Sequence, residues 1–279
     1  MKQLCVITGG GSGMGLAAAK HMPKEKIILI SGRTLSKLEK AVKELEDLGY
    51  EAYAKPCDTS DREQVQKLAE YAAMLGTVTN VIHAAGLSPA MADPMQLVRV
   101  NALGTVYVNQ EFSKIMPEGS VIVDISSNSA YFIPNILANA KMFALAEKDE
   151  EKFLGKMLFL ARKIKNPYKA SGLAYGLSKK FVIWYAAKCA FEYGEKKIRV
   201  VSLSPGLVAT DMGNLEAEEG GKLLNTTAEH RMGTPDELGY AIATVADERN
   251  GYLAGVDILC DGGSVVGRNR VFSAGTRTK

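Results

Sequence analysis

The 279-residue sequence has no long hydrophobic run and almost no excess of charge. No stretch reaches the roughly 18 consecutive apolar residues that indicate a membrane-spanning helix. Lysine and arginine total 34 and aspartate and glutamate total 31, and the net charge of +3 is too small to indicate nucleic-acid or anionic-membrane binding. We therefore expect neither nucleic acid nor a membrane among the partners.

Paired cysteines and clustered histidines are also lacking. Cys5, Cys57, Cys189 and Cys260 form no CxxC pair, and the three histidines are too scattered for a metal site. A glycine run follows the short apolar stretch at residues 4–7, which is far too short for a signal peptide. We expect buried free thiols, no metal ion and a cytoplasmic protein.

Short apolar runs alternate with amphipathic segments along the chain. Strands are predicted near residues 4–8, 26–31, 50–56, 78–83, 120–125, 199–203 and 258–260, and helices near 16–21, 36–48, 61–75, 94–116, 173–193 and 235–247. This alternation predicts an α/β fold, a doubly wound (Rossmann) seven-stranded parallel sheet with right-handed crossovers and helices on both faces. Since no linker or repeat divides the chain, residues 1–279 are expected to form one domain.

Two segments interrupt the alternation, and a tail covers residues 264–279. An insert at about residues 138–166 carries its own predicted helix, with Asp149 as a possible cap and Asn166-Pro167 as its end. The apolar side chains of that helix share one face: Phe153, Leu154, Met157, Leu158, Ala161 and Ile164. A polar, glycine-dotted segment at about residues 208–232 follows a strand's carboxyl end, where ligands bind in such sheets, and we interpret it as a substrate lid.

A glycine-rich turn, TGGGSGMG at residues 8–15, joins the first strand to the first helix. Glycines let the backbone approach a pyrophosphate, and the helix N-terminus offers unpaired N–H groups to its charge. The turn therefore predicts a dinucleotide site.

The turn has the spacing T-G-x-x-x-G-x-G, and other motifs follow it in order. They are Asp58, HAAG at residues 83–86, Asn101 in VNALG, Ser126-Ser127, the Y-x-x-x-K pair Tyr175 and Lys179, and Pro205-Gly206 with Thr210. Over about residues 1–263 the chain resembles the classical short-chain dehydrogenase/reductase family, in which NNAG is usual where HAAG stands here. The resemblance implies that a nicotinamide dinucleotide is held by Gly9, Gly11, Ser12, Gly13, Met14, Gly15, Arg33, Thr34, Cys57, Asp58, Ala84, Ala85, Gly86, Tyr175, Lys179, Pro205, Gly206, Val208 and Thr210.

The end of the second strand bears on the choice between NADP and NAD. NAD enzymes place a carboxylate there for the ribose 2′-hydroxyl, whereas here that position looks to be Gly32. Arg33 offers a bidentate fork for a 2′-phosphate. The sequence favours NADP, with NAD as the less favoured alternative, since the glycine turn has Gly11-Ser12 where many NADP-dependent relatives carry a basic residue.

Tyr175 and Lys179 are the predicted centre of the chemistry. Hydride transfer to a ketone leaves an alkoxide that must be protonated, and a tyrosine can exchange that proton when a nearby ammonium stabilises its phenolate. Residues i and i+4 share a helix face, so the two side chains can approach. The resemblance further implies that Lys179 binds the nicotinamide ribose, Ser127 polarises the substrate carbonyl and Asn101 holds a proton-relay water.

Ser127 and Tyr175 are 48 positions apart. In most classical members the corresponding serine and tyrosine are a dozen or so residues apart, and the insert accounts for the additional residues here. Bacterial 3α-hydroxysteroid dehydrogenase/carbonyl reductases resemble this chain in having a helical insert here. That likeness implies a secondary alcohol or ketone substrate, bulky and apolar such as a steroid. A 3-oxoacyl or small carbonyl reductase is an alternative, and a non-catalytic NADP(H)-binding sensor is an alternative of another class.

The insert also bears on assembly. In the family, the Y-x-x-x-K helix and the helix before it usually pair with their copies in a four-helix dimer interface. An apolar face such as that of the insert must be covered, either by those two helices or by a new contact. Both outcomes predict a homo-oligomer other than the usual tetramer, most simply a dimer.

Overall fold

The computed structural model describes residues 1–215, 224–225 and 227–269, and its strands form one parallel sheet. The strands are β1 (Gln3–Thr8), β2 (Ile27–Gly32), β3 (Glu51–Pro56), β4 (Thr77–His83), β5 (Val121–Ile125), β6 (Arg199–Pro205) and β7 (Asp257–Cys260). Their order is β3-β2-β1-β4-β5-β6-β7, so the direction of winding reverses between β1 and β4. The predicted doubly wound seven-stranded sheet is confirmed, and its switch point places the carboxyl ends of β1 and β4 at a crevice.

Helices cover both faces of the sheet. They are α1 (Gly13–His21), α2 (Leu35–Asp47), α3 (Arg62–Leu75), α4 (Pro94–Val98), α5 (Gly104–Ser113), α6 (Ala140–Phe143), α7 (Glu150–Leu158), α8 (Pro167–Tyr193), α9 (Pro235–Val245) and α10 (Ser264–Asn269). In β1, Leu4 and Val6 pack on the side of α3, α5 and α8, whereas Cys5 and Ile7 pack on the side of α1, α2 and α9. The sheet thus separates two apolar cores. No helix in the described ranges is long and apolar enough to cross a membrane.

The single helix expected at residues 94–116 is wrong in detail. α4 and α5 are separated by a π-helical turn, Arg99–Leu103, and α5 ends at Ser113. The amide of Asn101, in that turn, accepts a hydrogen bond from the Leu87 N–H (2.8 Å) and donates one to the Leu87 carbonyl (3.0 Å). The π-helical turn therefore occurs where the Asn101 side chain is hydrogen-bonded to the loop after β4. Hydrophobic periodicity cannot predict such a contact.

The boundary between the insert and α8 also differs from expectation. Asn166-Pro167 does not end the insert helix but begins α8, since the Asn166 side chain accepts the Lys169 N–H (3.0 Å) and Pro167 takes the first helical position. α8 thus starts six residues before the expected position 173. The expected cap of the insert helix is confirmed, because the Asp149 side chain accepts the Lys152 N–H (3.0 Å) at the start of α7.

The apolar face of α7 is covered by its own chain. Phe153, Leu154, Met157 and Leu158 are buried, and the Phe153 ring lies 5.1 Å from the ring of Phe181 on α8. Polar contacts hold the same segment. The Tyr107 hydroxyl of α5 donates to Glu150 (2.8 Å), and the Tyr185 hydroxyl of α8 donates to Glu147 (2.8 Å). Of the two outcomes considered for this face, packing over α5 and α8 is the one observed.

Candidate active site

The glycine turn after β1 leaves no room for side chains. A Cβ on Gly9, whose φ is +69°, would lie 2.7 Å from the Ala84 carbonyl carbon, and one on Gly15 would lie 2.4 Å from the Gly9 oxygen. Backbone atoms cannot give way as a flexible side chain can, so both positions require glycine. The turn is therefore packed directly against the loop that follows β4.

The N-terminus of α1 opens from this turn without a side-chain cap. Ser12 occupies the N-cap position with extended backbone and makes no capping hydrogen bond through its hydroxyl, and the first turn contains no acidic residue. The first N–H groups of the helix and its positive dipole end are therefore available to an anion. This is the arrangement that a pyrophosphate requires.

A cleft of about 700 Å³ surrounds the turn and the start of α1. Most of the predicted cofactor residues line it: Gly9, Gly11, Ser12, Gly13, Met14, Gly15, Arg33, Cys57, Asp58, Ala84, Ala85, Gly86 and Thr210. Six predicted positions lie outside its lining: Thr34, Tyr175, Lys179, Pro205, Gly206 and Val208. Gly206 and Val208 instead line a separate depression of about 180 Å³ beside Asp261. The size and backbone-rich wall fit an extended dinucleotide.

Gly32, at the position that bears on cofactor choice, and Met212, of the predicted lid, also line the cleft. Several further cleft residues were missed by the sequence reasoning. They are Leu16, Ala17, Lys20, Thr59, Leu87, Met91, Val100, Ala209, Asp211, Thr234, Pro235 and Asp236. A signal existed for the last group, because Thr234 and Glu237 form a capping box with Pro235 at the first helical position of α9. A second helix N-terminus therefore borders the cleft.

Arg33 stands at the rim of the cleft just after β2. Its side chain is exposed and takes part in none of the ion pairs or hydrogen bonds recorded for the described residues. A Cβ on Gly11 would lie 3.7 Å from the Cβ of Lys37, a second exposed cation that the sequence reasoning did not single out. Lys37 is thus an exposed cation on α2 whose Cβ lies beside the glycine turn.

Lys179 is buried between the sheet and α8. Its ammonium donates to the Ile125 carbonyl at the end of β5 (2.9 Å) and lies 5.9 Å from the centre of the Tyr175 ring. Burial lowers the pKa of Lys179 to about 8, and the nearby Asp124 acts in the opposite direction. Tyr175 is half-buried, and its carbonyl accepts a hydrogen bond from the Ser178 hydroxyl (2.7 Å).

Gly86 joins the cleft to this pair. It lines the cleft, and a Cβ on it would lie 3.4 Å from the Lys179 nitrogen and 3.2 Å from Oδ1 of Asn101. The structure therefore brings Asn101, Lys179 and, through Lys179, Tyr175 to the edge of the dinucleotide cleft.

The two serines after β5 differ in their partners. The Ser126 hydroxyl donates to the Lys179 carbonyl (2.8 Å) and is almost fully buried. The Ser127 hydroxyl accepts only a backbone bond, from the Ser129 N–H (3.1 Å), among those recorded. It therefore keeps its own proton to donate, which agrees with the choice of Ser127 over Ser126.

Comparisons with known proteins fit this geometry. The profile of the family described as short chain dehydrogenase matches residues 3–140, and that described as Enoyl-(Acyl carrier protein) reductase matches residues 150–265. The chain belongs to the short-chain dehydrogenase/reductase family. As a short-chain dehydrogenase/reductase, it is an NAD(P)-dependent oxidoreductase, and the resemblance found in the motifs is confirmed.

Relatives of this short-chain dehydrogenase/reductase are distant but cover it almost entirely. It is 26% identical to short-chain dehydrogenase/reductase bsc3 of Alternaria brassicicola, over 98% of this chain and 100% of that protein. It is 24% identical to 7alpha-hydroxysteroid dehydrogenase of Escherichia coli (strain K12), over 93% of each.

Solved structures of other family members share the fold. A short chain dehydrogenase from Burkholderia cenocepacia J2315, in complex with NADP, matches with a TM-score of 0.76 and 21% identity, over 93% of this chain and 96% of that one. A 3-oxoacyl-[acyl-carrier protein] reductase from Brucella melitensis, in complex with NAD, matches with a TM-score of 0.75 and 20% identity, over 95% and 98%.

Proposed function

We propose that this protein transfers a hydride between NADP(H) and a secondary alcohol or ketone, with a bulky, apolar substrate such as a steroid. The observation that carries the proposal is the position of Lys179, next to Gly86 of the cleft and 5.9 Å from the Tyr175 ring. A carbonyl carbon near that point would be within reach of both a bound nicotinamide and the tyrosine hydroxyl.

The cleft fits a dinucleotide, because glycines form a backbone cradle that a Cβ would fill and α1 presents uncapped N–H groups. When bound, the dinucleotide supplies or accepts the hydride. Arg33 and Lys37 would hold a 2′-phosphate, and the absence of a carboxylate at Gly32 disfavours a free 2′-hydroxyl. Cys57 and Asp58, which line the cleft, would also contact the dinucleotide, as the family resemblance implies.

The proton is handled by the protein's own side chains. In reduction, Tyr175 gives its hydroxyl proton to the developing alkoxide, and the Lys179 ammonium stabilises the phenolate that remains. Ser127 donates a hydrogen bond to the same oxygen and so stabilises charge as it forms. Asn101, fixed on the Leu87 backbone, keeps the lysine side of the site in place and would hold the relay water.

Apolar side chains in the cleft lining support a bulky substrate. They are Leu87, Met91, Val100 and Met212. The predicted lid at about residues 208–232 carries four more apolar residues that could form the pocket. Of these, Leu215, Leu224 and Met232 are partly or well exposed, and Leu223 lies outside the described residues, as does the tail beyond residue 269. A hydroxysteroid dehydrogenase and a carbonyl reductase family member among the relatives point to the same substrate class.

Tyr175→Phe tests the function. The change keeps the ring and removes the proton, so turnover should fall at least about a hundredfold while NADPH affinity stays within about twofold. The measurement is NADPH consumption with steroid, 3-oxoacyl-thioester and small aromatic ketones, together with fluorescence titration of NADPH. Tyr168→Phe, on the same helix, is the matched control. Retained turnover in Tyr175→Phe contradicts the mechanism, and tight NADPH binding without turnover on any ketone would favour a sensor.

We also propose a homo-oligomer, with a dimer favoured over the usual family tetramer. The insert covers α5 and α8, the helices that would otherwise pair between subunits. Light scattering would decide, and a stable tetramer would contradict this assignment.

A further inference from the structure

We propose that Asp124 of β5 is a positioning residue that keeps Lys179 charged, so that the reaction at Tyr175 depends on a buried carboxylate beneath the site. This inference rests on the proposed function for its kinetic consequence but not for its electrostatic one. Asp124 is not one of the predicted catalytic residues and does not line the cleft. Its side chain accepts hydrogen bonds from Asn109.

Asp124 belongs to a polar row that crosses the sheet at one level. Successive strands pair these residues in register: Ser31, Thr8, His83, Asp124, Ser202 and Asp257. In β2, β1, β4 and β5 the row lies at or next to the carboxyl end of the strand, below the loops that line the cleft. Most of its members are fully buried, and Asp124 itself has no exposed surface. Burying an ionised carboxylate costs free energy of folding unless the group is hydrogen-bonded and paired with a positive charge.

The polar contacts of Asp124 leave its charge uncompensated. Both carboxylate oxygens accept from the same amide nitrogen, Nδ2 of Asn109 on α5, at 2.9 and 3.0 Å. That amide is neutral, so it solvates the carboxylate without cancelling its charge. A positive charge is fixed at the next residue of the strand, because the Lys179 ammonium donates to the Ile125 carbonyl. Both side chains are buried at the end of β5.

Apart from Lys179, the titratable groups next to Asp124 on β4 and α8 are His83 and Cys189, and both are neutral. His83, opposite on β4, lies with Nδ1 2.7 Å from the Thr8 hydroxyl, and burial lowers its pKa to about 3. Cys189, on α8, is a buried thiol whose pKa is raised to about 12. Ser202, on β6, does not titrate and donates to Asp257 instead. Lys179 is thus the cation that Asp124 meets in this part of the described chain.

Each of the two charges favours the other. Burial raises the pKa of Asp124 to about 7, and Lys179 opposes that rise. Burial lowers the pKa of Lys179, and Asp124 opposes that fall. On the alkaline side of neutrality Asp124 is therefore ionised and delays loss of the Lys179 proton. Removing this anion would let the Lys179 ammonium lose its proton at lower pH, and the Tyr175 phenolate formed in the reaction would then lose its stabilising charge.

The first experiment needs no turnover. In the full-length protein labelled with ¹³C at aspartate carboxyls, NMR titration follows the carboxyl that ionises near neutrality, and Asp124→Asn assigns it. Lys179→Met should raise the pH at which this carboxyl ionises by about one unit or more, the scale of a charge within a few ångströms. An unchanged titration would overturn the proposal. The wild-type and Lys179→Met comparison decides this even if Asp124→Asn does not fold.

The second experiment measures the pH profile of ketone reduction. Asp124→Asn, isosteric and still able to accept from Asn109, should move the alkaline limb of kcat to lower pH by about one unit. Ser202→Ala, a buried polar neighbour in the same row, should leave that limb where it is. A lower kcat with an unmoved limb would mean that Asp124 is only structural. If the wild type reduces no ketone, the proposed function fails, while the NMR titration still decides the coupling.

Discussion

The dinucleotide cleft and the insert both adjoin α8, the helix that carries Tyr175 and Lys179, and they are built in opposite ways. The cleft is made of backbone: at Gly9 and Gly15 an added Cβ would meet main-chain atoms at 2.7 and 2.4 Å. The insert region is made of side chains: the rings of Phe143 and Phe153 lie 5.4 and 5.1 Å from the ring of Phe181. Added side-chain atoms would disrupt the cleft, whereas removal of side-chain atoms would disrupt the insert. Substitutions in the cleft should therefore change mainly cofactor affinity, and substitutions in the insert mainly the free energy of unfolding.

Phe153→Ala should give the largest change in stability. It removes a fully buried ring that contacts Phe181, and such truncations cost about 3–5 kcal/mol in the free energy of unfolding. Chemical denaturation would measure the loss, with Phe159→Ala, exposed at the end of α7, as the matched control. NADPH affinity of the folded variant should stay unchanged. A loss of affinity as large as the loss of stability would mean that the two regions are not independent.

Arg33→Ala should change cofactor affinity and leave stability unchanged, the reverse of Phe153→Ala. NADPH loses a charge-assisted contact worth about 1.5–3 kcal/mol, a weakening of roughly tenfold to a hundredfold, whereas NADH affinity and the free energy of unfolding should hardly change. Titration of both cofactors against wild type and variant gives the answer. Arg249→Ala, a distant exposed arginine, is the control. Equal losses for both cofactors, or a wild type that prefers NADH, would show that the 2′-phosphate is bound elsewhere.

Asp149→Ala should have the smallest effect. The carboxylate caps α7, and loss of such a cap typically costs about 1 kcal/mol. Asp61→Ala removes the corresponding cap of α3, whose side chain accepts the N–H groups of Glu63 and Gln64. Equilibrium denaturation of both variants compares a cap in the insert with one in the common fold. If Asp149→Ala cost nothing while Asp61→Ala cost the usual amount, α7 would be held by packing alone.

The difference between the two regions also explains what the sequence could predict. A turn that admits only glycine, as at Gly9, leaves an unmistakable pattern, and the spacing of Tyr175 and Lys179 follows directly from helical periodicity. The sheet was predictable for the same reason, since fully buried strands such as β2 are apolar throughout.

The errors arose where tertiary contacts decide the local structure. Asn101 sits in a π-helical turn because its amide binds the Leu87 backbone, and residues 94–116 carry no periodicity that reports this. Asn166-Pro167 can end one helix or begin the next, and only the bond from the Lys169 N–H shows which. Lys37 was missed because it approaches the glycine turn from a neighbouring helix, although it lies far from it in the chain.

The position of the insert has a consequence for how the protein folds. Ser127 and Tyr175 must come together across 48 positions of chain, yet the entropy of closing a loop grows only with the logarithm of its length, about 0.6 kcal/mol for each doubling. Phe153, inside that span, packs on Phe181, which follows Tyr175 on the same helix, so α7 folds back onto the helix that carries Tyr175. The insert therefore lengthens the chain between the two residues while adding little to the entropic cost of bringing them together.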